Sequence, residues 1–329
     1  MTAPGWASFA PTVVAAIKAG DPSAVDKSPT GGMRSPLKGD DAWVPWAAGD
    51  YAKGTVGFGA PSMSLRVSPT YVLDDPLENF IVGRDLVSQA LNGQWQKAET
   101  HRLGYENSED AVSWNVFRLL QEAGLLTAVA SALTEESFTV EPDLILWGHR
   151  VTQNAAHDVP ELQVALDTLE HGYAQQTEPD VILRVPGWGW VFIEAKLASP
   201  SPKVEKHKFD SWVKRYIDPS PTVFDKEAVL AAGHANVHGQ LARNVAVASS
   251  ALIGGERAVV VALVRKKDMP KVDGWGASIV VSHGPVTTSS ASWEDFYVLA
   301  QAAAEPPSSL LEFMRGKSVG LRQAFDVGQ

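Results

Sequence analysis

Residues 178–196, EPDVILRVPGWGWVFIEAK, set charged side chains into two β-prone runs that a turn separates, and few folds accommodate that pattern. Val181, Ile182, Leu183 and Val185 form the first run, Pro186-Gly187-Trp188-Gly189 breaks it, and Trp190 to Leu197 resumes it. Aliphatic and aromatic runs bounded by Pro and Gly predict a strand, a tight turn and a second strand. Side chains alternate faces along a strand, so Glu194 and Lys196 share one side while Ile193, Ala195 and Leu197 take the other. Asp180 enters the first strand, and antiparallel pairing returns its carboxylate to the neighbourhood of Glu194.

Two carboxylates and an amine in one place suit a hard divalent cation. Mg²⁺ takes oxygen ligands in an octahedral shell and keeps several waters, while protein supplies one or two carboxylates. Asp180 and Glu194 meet that requirement, and the Ala195 carbonyl between the two strand-face residues is a further candidate ligand. Lys196 can orient a water or meet developing negative charge. A charged pair inside an apolar strand has no ordinary packing purpose, which favours a functional role. The chain's other Pro-Asp dipeptide, Pro142-Asp143, is followed by no acidic-x-Lys triplet at a similar distance.

Pro179-Asp180 followed by Glu194-Ala195-Lys196 resembles the PD-(D/E)XK nuclease superfamily, in its standalone bacterial branch. The resemblance implies an α/β fold: a restriction-endonuclease-like core with a central mixed β-sheet flanked by helices, an N-terminal arm and C-terminal helices. It implies a metal-dependent nuclease hydrolysing phosphodiester bonds, with DNA the first choice of substrate and restriction or genome defence the setting. Mg²⁺ is the implied cofactor, with Mn²⁺ as a substitute. Two alternatives stay open: an RNA-directed nuclease, and a catalytically silent nuclease-like module that binds nucleic acid or protein. Cutting both strands of a duplex takes two sites, which points to a homodimer.

Two helices complete the expected site. SEDAVSWNVFRLLQEAG, residues 108–124, carries Val112, Val116, Phe117 and Leu120 at helical spacing, with acids in its first turn and Gly124 as a stop. Glu109 heads its inward stripe, and the resemblance implies a supporting carboxylate at that position; a dipole-stabilising role is the plain alternative. HANVHGQLARNVAVASSAL, residues 234–252, reads as a second helix ahead of the apolar strand at 258–264. The resemblance implies an active-site glutamine there, matched by Gln240, although Asn244 stands where a tyrosine commonly completes the motif. Arg243 is a candidate phosphate contact or the partner of a surface acid. His234 and His238, four apart on that expected helix, lack the Glu and the third ligand of a zinc site.

A net charge of −10 excludes a general nucleic-acid coat protein, so a nuclease needs a local positive patch. Lys203, Lys206, Lys208, Lys214 and Arg215 follow the second strand, with Phe209, Trp212 and Tyr216 interleaved. That mixture suits a phosphate backbone with stacked bases, or a solvated amphipathic helix. Arg265, Lys266 and Lys267 form a second candidate patch. The absence of cysteine removes disulfides, thiolate zinc sites and thiol nucleophiles. Neither a phosphate-cradling Gly-rich loop nor a nucleophile elbow occurs. With no secretory leader and no long apolar stretch, a cytoplasmic protein without membrane contact is expected.

The expected organisation is an N-terminal arm or subdomain over 1–100, a nuclease-like core over 101–285 and a C-terminal helical extension over 286–329. A short helix near Thr12 to Ala19 and a helical lead-in from Leu77 to Leu91 are predicted within the first. The core is predicted to contain a strand region at 137–147 and a helix at 159–170, with Trp188 and Trp190 packing the hairpin. Trp293 to Ala304 and Leu310 to Phe313 are the predicted C-terminal helices.

Overall fold

The structure, a computed structural model, describes residues 26–27, 42–44, 51–52, 73, 76–91, 102–171, 178–198, 201–319 and 322–328. The expected helix at Thr12 to Ala19 lies outside the described residues. Asp26–Lys27, Ala42–Val44 and Tyr51–Ala52 pair as three short antiparallel strands. Two compact units divide the chain: Met1–Asn115 with Glu312–Gln329, and Val116–Leu311.

In the first unit a 3-10 turn, Pro76–Asn79, precedes helix α1, Arg84–Ala90, shorter than the predicted lead-in. Helix α2, Glu109–Glu122, begins here with Glu109 and Asp110 in its first turn, as the sequence suggests. Polar side chains pin its start, because Asn115 donates to the Asn79 carbonyl at 2.8 Å and accepts from the Ile81 N–H at 2.9 Å. Trp114 meets Phe80 edge to face and donates to the Val82 carbonyl at 2.9 Å. Lys317 is fully buried, and burial pulls its ammonium down to about 8 against the opposing influence of Glu106.

The second unit is α/β, built on a seven-stranded mixed sheet. After α2 come helix α3, Leu126–Thr134, then strands β1, Asp143–Leu146, β2, His149–Val151, and β3, Ala156–Asp158. Helix α4, Pro160–Glu170, leads to strands β4, Val181–Val185, and β5, Gly189–Ala195. A compound helix follows, with a 3-10 turn at Lys206–Lys208, an α turn at Phe209–Trp212 and a π turn at Val213–Ile217. Helices α5, Lys226–Ala232, and α6, Gly239–Ala251, precede strands β6, Arg257–Val264, and β7, Val286–Ser292. Helix α7, Trp293–Gln301, opens on a full capping box from Ser292 and Asp295, and α8, Ser308–Gly316, ends the run.

The strand order is β7-β6-β5-β4-β1-β2-β3. β1, β4 and β5 run antiparallel, whereas β5, β6 and β7 run parallel. A parallel neighbour requires a crossover, which α6 supplies between β5 and β6. Trp190 and Phe192 of β5 and Ala258, Val260, Ala262 and Val264 of β6 meet Leu162 and Leu166 of α4 and Leu241 and Val245 of α6 in one core. Burying each large side chain of this set contributes about 1.5–3 kcal/mol. On the opposite face, α3 packs on β4 to β7, and Phe117, Trp293 and Phe296 form an edge-to-face cluster.

The predicted hairpin is present, and its turn follows from two residues. The Trp188 N–H donates to the Val185 carbonyl at 3.1 Å, with Pro186 and Gly187 between them and Gly187 at φ +74°. Pro pre-sets the first central position and Gly supplies the positive φ that the second needs, the requirement of a type II turn. Gly189 has φ +147°, and a Cβ there would sit 1.8 Å from the Arg257 carbonyl oxygen. No other residue lets β5 start so close to β6. As expected, the tryptophans pack the hairpin: Trp188 meets Phe138 edge-on, and Trp190 is buried beneath the Arg184 guanidinium, donating to Glu256 at 3.2 Å.

Two sequence expectations need correction here. The strand predicted over 137–147 is only β1, residues 143–146, and β2, β3 and β7 were not foreseen. Their short or Ser/Thr-rich sequences carry no apolar run; pairing with a neighbour makes them strands. The helix predicted from 234 starts at Gly239, so His234 precedes it and His238 is its N-cap residue. Among the described residues, no single helix is long and apolar enough to cross a membrane.

Candidate functional site

The register of the hairpin creates the site. Val181 pairs with Ile193, so the next position back, Asp180, falls opposite Glu194. Alternation puts both carboxylates on the face that carries Ile182 and Phe192 and is covered by α6. The Asp180 carboxylate accepts the Ala195 N–H at 2.9 Å, which ties the end of one strand to the other. N–H and C=O of one strand residue face the same edge, so the Ala195 carbonyl faces the Asp180 side. The Lys196 N–H turns the other way and donates to the Leu263 carbonyl at 2.8 Å.

Lys196 draws the acids together. Its Nζ stands 2.7 Å from Glu194 Oε1 and 3.8 Å from Asp180 Oδ2. Glu194 and Lys196 are nearly enclosed, at 3% and 7% exposure, and the Asp180 side chain reaches 19%. The cluster holds two carboxylates to one ammonium. Such an oxygen donor set is of the kind that a hard divalent cation takes from protein.

Asn244 of α6 donates from Nδ2 to Glu194 Oε2 at 2.9 Å, fixing the second carboxylate oxygen. Sequence reasoning noted this asparagine only as a departure from a motif, and expected Gln240 at the site instead. Gln240 lies one turn earlier and lines a neighbouring cavity. Position 244 points at β5 and position 240 does not; sheet-to-helix packing decides which one.

The Asn244 side chain also continues inward. Its Oδ1 accepts from Arg243 Nη1 at 3.1 Å, and Arg243 Nε donates to Glu170 Oε1 at 2.7 Å. Tyr216 donates to the same Glu170 oxygen at 2.9 Å, while Arg215 approaches it at 3.8 Å and donates to the Leu169 carbonyl. Of the two alternatives for Arg243, a phosphate contact or a surface acid, the second is corrected, since its partner Glu170 is buried at 1% exposure. Glu170 was missed, although a signal existed: Leu162, Leu166 and Glu170 are spaced by four, so an acid stands on the buried stripe of α4. Burial, and then the Glu170 charge, push the Tyr216 phenol up to about 12.

The predicted basic patch divides in two. Lys203, Lys208, Arg215 and Arg243 line a cavity of about 450 Å³ together with Trp212, Tyr216 and Gln240. Lys206 and Lys214 are exposed on the compound helix and do not line it. Lys208 pairs with Glu205 at 3.1 Å, and Lys203 contacts His238 Nε2. A lysine only donates, so Nε2 accepts and the proton resides on Nδ1, which donates to the Ser201 carbonyl at 3.0 Å. Burial first, and then Lys203, hold the His238 pKa below its usual value.

In the second candidate patch, Arg265 pairs internally with Asp268 at 3.1 Å. Glu109 belongs to the first unit, half-buried in the first turn of α2, where its carbonyl accepts from Ser113 Oγ at 2.8 Å. Among the described residues no group of three or more His, Asp or Glu side chains converges. Asp180 and Glu194 are a pair, within the one or two carboxylates that Mg²⁺ ordinarily takes from protein. A scan of protein-family models, a search of curated proteins and a search of solved structures each found no match to the chain.

Proposed function

We propose that the chain is a metal-dependent nuclease of the restriction-endonuclease-like kind, acting on DNA at the cluster of Asp180, Glu194 and Lys196. The observation that carries this reading is the contact of Lys196 Nζ with both acids, at 2.7 and 3.8 Å, on adjacent strands in register. Asp180, Glu194 and the Ala195 carbonyl are the oxygens that would hold Mg²⁺ or Mn²⁺, an all-oxygen donor set of the right hardness. When bound, such an ion lowers the pKa of a water and offsets phosphate charge. The Ala195 N–H and the Asn244 amide hold the two carboxylates in place without spending the remaining oxygen lone pairs. Lys196 orients the attacking water by its ammonium protons and meets the charge that develops on the phosphate.

The enclosure of Glu194 and Lys196 favours a second reading, a silent nuclease-like module in which the three charges are a structural ion cluster. One experiment separates the two. Purified protein is incubated with Mg²⁺ and supercoiled plasmid, linear duplex, single-stranded DNA or structured RNA, beside Asp180→Ala and Lys196→Ala. The nuclease reading expects cleavage of a DNA substrate by the parent and none by either variant. Cleavage that survives both substitutions removes the assignment, cleavage of RNA alone redirects it, and an inert parent favours the silent module.

A further inference from the structure

The cavity beside α6 is charged, roomy and aromatic-walled at once, and the bond cleavage proposed at Asp180, Glu194 and Lys196 uses none of its residues. Lys203, Lys208, Arg215 and Arg243 line it, while the acids that face these cations are Glu205 and Glu170. Among the described residues, four positive charges stand against two negative ones at a concave surface, where low-dielectric walls strengthen attraction for an anion. Arg243 is 6% exposed, yet its Nη2 has no hydrogen-bond partner among the described residues. Its Nε and Nη1 are committed to Glu170 and Asn244, which fixes the plane of the guanidinium. A buried, immobilised donor without an acceptor carries a desolvation cost, and the Arg243 side chain that bears it borders the cavity.

The shape narrows the ligand class. A cavity of about 450 Å³ lies within the size range of small-molecule sites and has room for one nucleotide. Trp212 contributes an aromatic wall, backed by Phe209 stacked at 8° and by Tyr216 at 5.6 Å. Helix α6 begins in the lining with Gly239 and Gln240, so its positive end adds to the field, and the His238 side chain makes no cap to it. Gln240 offers an amide able to read a base or sugar edge.

We propose that this cavity is a binding site for a nucleoside phosphate, with the phosphate held by Arg243, Arg215 and the two lysines and the base set against Trp212. The proposal stands apart from the nuclease reading, since nothing in it requires metal or bond cleavage. Free nucleotide and the phosphorylated end of a strand share this chemistry.

Calorimetric titration of the full chain, with EDTA present, tests it using AMP, adenosine, inorganic phosphate and a short single-stranded oligonucleotide with or without a 5′-phosphate. AMP is expected to bind about tenfold or more tightly than either adenosine or phosphate alone, the difference made by one charge-assisted contact of about 1.4 kcal/mol. Lys203→Gln and Lys208→Gln, both at exposed positions, are expected to weaken AMP by about tenfold together, and Arg215→Gln by a similar factor. Competition by the phosphorylated oligonucleotide assigns the site to strand ends, and indifference to it assigns the site to free nucleotide; both outcomes uphold the proposal. Equal affinity for AMP and adenosine, equal affinity for AMP and phosphate, no binding, or unaltered binding in the lysine variants would overturn it. Asp180→Ala is expected to bind AMP like the parent, so failure of nuclease activity and failure of this site are read separately.

Discussion

The cluster at Asp180, Glu194 and Lys196 and the cluster at Glu170 use the same few groups in opposite proportion. In the first, two carboxylates share one ammonium; in the second, one carboxylate takes Arg243, Arg215 and the Tyr216 hydroxyl. The formal sums are −1 and +1, and both clusters are largely withdrawn from water. Asn244 stands between them, with its amide nitrogen toward the negative cluster and its carbonyl toward the positive one. A neutral amide is the side chain that satisfies both neighbours at once, because it donates from one end and accepts at the other. Excess negative charge beside a strand end suits a cation, and excess positive charge beside an aromatic-walled cavity suits an anion. One packed face of the sheet thus holds two ion clusters of opposite composition.

The largest expected effect falls on the positive cluster. Glu170→Ala leaves two guanidinium groups facing a void and is expected to lower stability by about 3–5 kcal/mol, read as a shifted urea midpoint. A change under about 1 kcal/mol would show that Glu170 is dispensable and would break the contrast. Next is the negative cluster, where Asp180→Ala is expected to cut cleavage of plasmid at least about 10²–10³-fold. The same variant is expected to lose about 1–3 kcal/mol of stability, because the buried Ala195 N–H loses its acceptor, so cleavage is compared where both proteins are folded.

Asn244→Ala tests the connector. Loss of its hydrogen bond to a carboxylate is expected to cost about 1.5–3 kcal/mol, and Asn244→Asp more, because it sets a new negative charge against Glu194. An Asp variant as stable as the parent would sever the two clusters energetically. The last test is a pH slope. Tyr216 keeps its proton up to about 12, raised first by burial and then by Glu170, whereas the phenol in an unfolded chain ionises near its ordinary value of about 10. The native state therefore binds more protons in that interval, and stability falls as pH rises from about 10 to about 12. Tyr216→Phe is expected to flatten that part of the curve in urea titrations.

Much of the negative cluster is legible in the sequence. Strand periodicity with Pro186 and Gly187 in the middle leaves little choice of hairpin, and the spacing from 180 to 194 then follows from counting residues around the turn. Leu241, Val245 and Ala248 stand at helical spacing in the sequence and are the buried stripe of α6. Rotation of that helix against β5 is not legible there. Helical positions 240 and 244 are one turn apart, and only the packing of α6 on the sheet sets 244 against Glu194 and 240 in the cavity wall. Glu170 went unread because a lone acid on an apolar stripe gains its meaning from partners 46 and 73 residues away.

By itself the sequence determined an α/β chain with a charged hairpin, through local rules that act over a few residues: alternation along strands, positive φ at Gly187, and apolar spacing on helices. Tertiary structure alone decided which side chains share an enclosure, since proximity between α4, the compound helix and α6 depends on how they pack on the sheet. It also decided the fate of the basic patch. Of the charges that are neighbours in sequence, Lys203, Lys208 and Arg215 line the cavity and Lys206 and Lys214 do not, because the compound helix presents Lys208 and Arg215 to one side and Lys206 and Lys214 to others.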